Sequence, residues 1–243
     1  MHPNVIIRAV AFSATIWRKA DSARLLLKIH FHTIIIIHFV NVKRNPDLRY
    51  TAPVSMNKAT TILMMGKTGS GKGTQSTLLA EKLGYNVFST GDEFRKIRKF
   101  ENFLGEKVRS EYDKGLLMPH WFASYLFEDA LLKTDPKTGL VCEGIGRKEP
   151  EAKLFNDVAG WLGRDYLVIE LLVSDEEVIR RQLQRDRGDS LNDRAKIEVR
   201  LEEYRTYTEA AINFFKSLNK VTSVDGMGTP DAIHAEILKI LNI

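Results

Sequence analysis

Residues Gly66-Lys67-Thr68-Gly69-Ser70-Gly71-Lys72 read G-x-x-x-x-G-K, a phosphate-binding loop that needs a strand before it and a helix after it. Both flanks are present. Thr60 to Met65 is an apolar run of strand length, and Gln75 to Leu83 carries Leu78, Leu79 and Leu83 at helical spacing until Gly84 stops it. Gly66, Gly69, Gly71 and Gly73 are expected to let the backbone curl and turn its N–H groups inward. A helix start near Gly71 adds its positive dipole end, and Lys72 adds a full charge for the terminal phosphates of a nucleotide. The residue after the lysine is ordinarily Ser or Thr, whose hydroxyl meets Mg²⁺. Here it is Gly73, with Thr74 one place later.

A basic protein of net charge +5 invites a nucleic-acid reading until the charge is located. Residues 1–55 hold eight Lys/Arg against two Asp/Glu, a net of +6; the rest hold 28 against 29, a net of −1. The main body is near neutral, so no nucleic-acid partner is expected. Cys142 is the only cysteine, which excludes an internal disulfide and a multi-cysteine structural zinc, and is consistent with a reduced, cytoplasmic setting. The block Ile34 to Val40 is far short of the roughly 20 apolar residues that span a bilayer, so no membrane partner is expected. With Arg8, Arg18, Lys19 and Arg24 and few acids, residues 1–55 loosely resemble a mitochondrial presequence. The plainer reading is that Met56 is the true start and that residues 1–55 are an N-terminal extension, disordered or an artefact of the gene model.

From Met56 onward strands and helices alternate. Strands are expected at Asn86–Ser89, Leu140–Cys142, Tyr166–Val173 and Lys220–Val224. Helices are expected over Asp92–Phe100, Leu104–Lys114, His120–Lys133 and Glu151–Leu162, with one long helix over about 194–218. Ser174 with Glu177 is a capping box, and Thr229-Pro230 is a cap with proline at the first helical position. The alternation predicts an α/β fold on a parallel sheet, with ligands at the carboxyl ends of its strands.

Gly69 to Gln75, G-S-G-K-G-T-Q, resembles the loop of the adenylate kinases and their nucleoside monophosphate kinase relatives, with Thr68 where that family has proline. Four further segments resemble the family in order. Ser89 to Arg95, S-T-G-D-E-F-R, resembles its S-T-G-D-x-x-R, in which the threonine faces the acceptor base and the arginine grips the acceptor phosphate. Thr90 with Glu93 is also an ordinary capping box. Cys142 to Arg147 stands where relatives read L-D-G-F-P-R, with Ile145 and Gly146 replacing the aromatic residue and proline. Glu143 there would organise magnesium through water, Gly144 would approach the acceptor, and Arg147 would clamp its phosphate. Without the resemblance, Glu143 and Arg147 read as a surface ion pair. Asp175 to Arg185 and Arg200 to Tyr204 resemble the helices entering and leaving the family's lid, with Arg181 and Arg185 on one helical face. Val224-Asp225-Gly226 to Pro230 resembles its donor adenine loop.

The resemblance implies a P-loop NTPase-type three-layer fold over residues 56–243. It implies a central parallel five-stranded sheet, a helical acceptor-binding insert at about 90–134 and a short lid at about 186–193. It implies a monomer that moves the ATP γ-phosphoryl group to a nucleoside monophosphate with Mg²⁺. Gly69, Ser70, Gly71, Lys72, Gly73, Thr74 and Arg181 would bind ATP. Thr90, Arg95, Gly144, Arg147 and Glu151 would bind the acceptor. Lys72, Arg147, Arg181, Arg185 and Arg200 would stabilise the transferring group. The family's further lid arginine and acid pair align with Asp189, Leu191 and Asn192, and Arg187 is the nearby substitute. Its adenine-reading glutamine is Glu151 here. An ionised Glu only accepts, which disfavours adenine N1 and suits guanine N1–H and N2–H₂, so GMP stands beside AMP. Glu151 also reads as an exposed first-turn residue favoured by the helix dipole. Two other readings remain open: a nucleotide-binding protein that no longer catalyses, and a P-loop kinase of a non-nucleotide metabolite.

Overall fold

The structure, a computed structural model, describes residues 60–185 and 192–243. The expectations for residues 1–55, Arg187, Asp189, Leu191 and most of the lid lie outside the described residues.

The apolar runs become strands where they were expected. β1 (Thr61–Gly66) leads through the phosphate loop into α1 (Lys72–Leu83). β2 (Asn86–Ser89) is followed by α2 (Thr90–Ile97), α3 (Phe103–Tyr112) and α4 (His120–Lys133). β3 (Leu140–Glu143) leads to α5 (Glu149–Trp161), and β4 (Tyr166–Leu172) to α6 (Asp175–Leu183). α7 (Arg194–Glu203) continues through a π turn (Tyr204–Thr208) into α8 (Glu209–Ser217); β5 (Val221–Asp225) and α9 (Pro230–Leu241) end the chain. The strands pair in parallel in the order β2-β3-β1-β4-β5.

Strand alternation divides the core. Leu63, Met65 and Val168 face one side, where Phe127 of α4, Phe155 of α5 and Phe215 of α8 pack against them. Ile62, Met64 and Ile169 face the other, against Leu79 of α1 and Ile233 and Ile237 of α9. Burial of β4 on both faces explains its unbroken apolar run. Its exception is Glu170, buried but met by the Ser223 hydroxyl at 2.7 Å and Lys216 Nζ at 3.0 Å. These are three layers, and the fold is that of an α/β P-loop kinase. α2 to α4 carry a separate apolar cluster that includes Phe94, Val108 and Phe122.

Caps account for most helix starts. The Ser174 Oγ accepts from Glu177 N at 3.3 Å, and the Thr229 Oγ1 from Ala232 N at 3.3 Å, as expected. The expected Thr90–Glu93 box does not form: Ser89, one residue earlier, is the cap and accepts from Asp92 N at 3.2 Å. Ser89 is the last strand residue, so its extended backbone already has the N-cap geometry. The long helix expected over 194–218 is interrupted by the π turn. Its wider winding turns Tyr204 and Thr208 inward together, a shift of phase that hydrophobic spacing does not encode.

Candidate active site

The site lies at the carboxyl ends of β1, β3 and β4, where a parallel sheet with crossover helices opens a crevice. At its base is the phosphate loop. Gly66 has φ +133°, and a Cβ there would stand 2.6 Å from the Leu171 carbonyl oxygen of the neighbouring strand. Gly71 caps α1 in the left-handed region at φ +99°. Gly73, expected to help the loop curl, is instead the second residue of α1. Lys72 is buried, and its Nζ donates to the carbonyls of Gly66 at 2.8 Å and Lys67 at 2.5 Å, so its charge is held within the loop.

One cavity brings together Lys72, Thr90, Gly144, Arg147, Glu151 and Arg200. These come from α1, α2, the turn after β3, α5 and α7, so only the fold assembles them. The Thr90 hydroxyl is buried and has no hydrogen-bond partner, which leaves it available to a ligand because Ser89 does the capping. Gly144 has φ +80°, and a Cβ there would stand 3.3 Å from Arg147 Nη2 and 3.5 Å from the Thr90 Cβ. The absent side chain thus lets the guanidinium lie against the Thr90 wall.

Glu151 is not the exposed first-turn residue that its position allowed: it is 2 % exposed. Its Oε2 accepts from Arg147 N at 2.9 Å, and the carboxyl also takes the Lys148 backbone N–H. Burial pushes this carboxyl up to about 7, against the two N–H bonds and the charges of Arg147 and Lys148. The surface ion pair between Glu143 and Arg147 is replaced by a division. Arg147 lines the cavity, while Glu143 lines a neighbouring groove with Thr74, Asp92, Arg95 and Arg185.

Arg95 lines the groove of Glu143 and not the cavity, but it is bonded to a cavity residue that the sequence reading missed. Its Nη1 donates to the Tyr112 hydroxyl at 3.2 Å, and its Nη2 pairs with Asp92. Burial works against the Arg95 charge, but the bonds to Asp92 and Tyr112 outweigh it and the pKa moves up. Tyr112 lines the cavity and carries the Arg200 guanidinium over its ring, 5.6 Å from the centroid. Glu203 was also missed. It lines the cavity and its Oε2 accepts from Leu117 N at 2.8 Å, tying α7 to the loop before α4. No local pattern marks either residue, since each matters through a partner distant in the chain.

A second groove, lined by Gly69, Gly71, Thr74, Arg181, Arg185 and Gly228 among others, runs along the other side of the loop. Arg181, expected both to bind ATP and to act on the transferring group, lines this groove, its Nε paired with Glu177 at 2.6 Å and its Nη2 donating to Gly226 O at 2.9 Å. Bonds to Arg180 and Arg181 push the Glu177 carboxyl down to about 2. Arg185 lies just past the end of α6 and borders both this groove and that of Glu143. Among the described residues no cluster of His, Cys, Asp and Glu could hold a metal ion by itself, and no helix is long and apolar enough to cross a membrane.

The sequence model of the family described as adenylate kinase matches residues 64–220. An adenylate kinase of Chlamydia felis is 32 % identical over 204 residues, covering 72 % of this chain and 94 % of the relative. One from Mycobacterium tuberculosis is 33 % identical over 181 residues, covering 74 % and 98 %. One from Thermobifida fusca is 33 % identical over 170 residues, covering 69 % and 90 %. The family model covers more than half of the chain and the relatives are matched over nearly their full length, so the chain belongs to the adenylate kinase family, as a phosphotransferase with a phosphate group as acceptor.

Proposed function

We propose that the chain transfers the γ-phosphoryl group of ATP reversibly to a nucleoside monophosphate, AMP or GMP. The observation that carries this reading is the shared cavity of Lys72, Thr90, Arg147 and Arg200, three cations around one polar wall beside the phosphate loop. Nucleoside monophosphate kinase activity is what the family supports; the donor, the ion and the acceptor base are the finer assignment.

In this reading the second groove takes ATP, with Gly69 to Thr74 on its phosphates and Arg181 beside its base. The acceptor enters the cavity with its base toward Thr90 and Glu151 and its phosphate toward Arg147, while Arg95 approaches through Tyr112. The reaction asks for little covalent work from the protein, so position and charge supply most of the rate. Lys72 and Arg200 border the space between donor and acceptor and stabilise charge on the transferring group. Glu143, Thr74 and Asp92 line one groove with carboxylate and hydroxyl oxygens, a donor set suited to Mg²⁺ held through water. Bound there, the ion would neutralise charge on the donor phosphates. The family resemblance supports a monomer, and the near-neutral body supports small-molecule substrates over nucleic acid.

The test is a steady-state ADP-formation assay on the full chain with ATP, Mg²⁺ and each of AMP, GMP, CMP and UMP. Turnover with a purine monophosphate is expected. Folded protein that binds ATP but turns over no monophosphate overturns the proposal in favour of a binding protein.

A further inference from the structure

The acceptor cavity holds a residue whose chemistry matches two different purine edges. Adenine presents an acceptor at N1 beside a donor amine. Guanine presents two donors, N1–H and N2–H₂. A neutral carboxyl offers an O–H donor beside a C=O acceptor, the pattern of a glutamine amide, while a carboxylate offers acceptors only. One proton separates the two patterns.

We infer that the protonation state of Glu151 decides which purine the cavity accepts, the neutral carboxyl taking AMP and the carboxylate taking GMP. This rests on the kinase reading above and adds the basis of its acceptor choice.

The geometry makes Glu151 fit for the role. It is 2 % exposed and lines the cavity wall. The Arg147 N–H, at 2.9 Å from Oε2, and the Lys148 N–H hold the carboxyl at the start of α5. Both bonds need only acceptor lone pairs, which a carboxyl keeps in either state, so gain of a proton leaves the group in place. Two of its roughly four lone-pair sites are used, and the remainder serve whatever enters.

The surroundings set a close balance. Arg147 and Lys148 face the carboxyl from its own turn and favour the charged form. Across the cavity stand Lys72 from α1, Tyr112 from α3, Arg200 and Glu203 from α7, and Tyr204 from the π turn. Two of these cations also face the phosphates of bound nucleotides, which reduces their pull on Glu151. Burial favours the neutral form and brings the carboxyl up to about 7, so either state is reached within the range in which a cell works. A glutamine at this position has one pattern only; Glu151 has both.

The experiment measures kcat/KM for AMP and for GMP on the full-length protein between about pH 6 and about pH 8. The ratio of the two cancels titration of the acceptor phosphate, which both substrates share, and neither base titrates in that window. The AMP-to-GMP ratio is expected to fall by at least about tenfold across it, and to stay flat in Glu151→Gln. Calorimetry on the unaltered protein, in buffers of different ionisation heat, gives a second reading independent of any variant. AMP binding at neutral pH is expected to take up more protons than GMP binding. A flat ratio in the native enzyme, or equal proton uptake for the two nucleotides, overturns the inference while leaving the kinase reading intact. Absence of turnover with both purines overturns the kinase reading, and this inference with it.

Discussion

Arg200 Nη1 lies 3.3 Å from the Thr68 hydroxyl, joining α7 to the phosphate loop across 132 residues of chain. The loop motif that this chain resembles has proline at this place, and a proline offers no hydroxyl to accept such a bond. A second tie runs beside it: Asp175 pairs with Lys67 of the loop at 2.5 Å and with Arg205 of the π turn, and this pairing holds the Asp175 carboxyl below its usual range. Loop and helix are thus fastened at two adjacent residues.

Removal of that acceptor is expected to loosen Arg200 without touching the groove lined by Arg181, the proposed ATP site. Thr68→Val keeps the side-chain shape and deletes one hydrogen bond, a change of about 1 kcal/mol or roughly fivefold in kcat. The KM for ATP is expected to hold. Native kcat in this variant would show that the Thr68 hydroxyl does not position the guanidinium.

Arg147 faces the acceptor phosphate in the proposed reaction, and Gly144 leaves room for its guanidinium. Arg147→Ala is expected to lower turnover at least about a hundredfold, the scale of losing one electrostatic donor. An unchanged circular dichroism spectrum would separate this from misfolding. Near-normal turnover contradicts the assignment.

Gly66 is required by space as well as by backbone conformation. At φ +133°, with the Leu171 carbonyl 2.6 Å from where a Cβ would be, Gly66→Ala must displace β4 or the loop. The expected loss is at least about 2 kcal/mol, read as a lower urea midpoint. A native midpoint would mean that the strand yields easily there.

Glu151 also links stability to pH. Its folded value, about 7, lies above the ordinary range of a glutamate carboxyl, so the folded state holds the proton more tightly than the unfolded chain does. Its favourable contribution is complete below about pH 4.5 and is lost as pH rises through about 7. Glu151→Gln retains an acceptor for the two backbone N–H groups and has no proton to lose. It is expected to be near neutral for stability at about pH 5 and to stabilise by about 2 kcal/mol at about pH 8, measured by denaturant unfolding at each pH. A gain independent of pH would place the benefit elsewhere.

Most of the fold was legible because its signals are local. The strand at Asn86–Ser89 and the helix at His120–Lys133 have the expected bounds, and Ser174 and Thr229 cap as their neighbours dictate. The loop from Gly66 to Lys72 declares a phosphate site through backbone freedom and one charge, which need no distant partner. Such features are determined by the sequence alone, since each depends on residues within a few positions.

What tertiary structure decided is every property set by burial or by distant pairing. Helical spacing places Glu151 in a first turn, but only the packed cavity removes it from water and raises its pKa. The motif identifies Arg181 without showing that Glu177 and Gly226 hold it in the groove beside the phosphate loop. Tyr112 carries no motif and becomes part of the site because Arg95 and Arg200 converge on it from two other helices. Desolvation and through-space charge depend on what surrounds a group in three dimensions, and a linear chain states only what precedes and follows it.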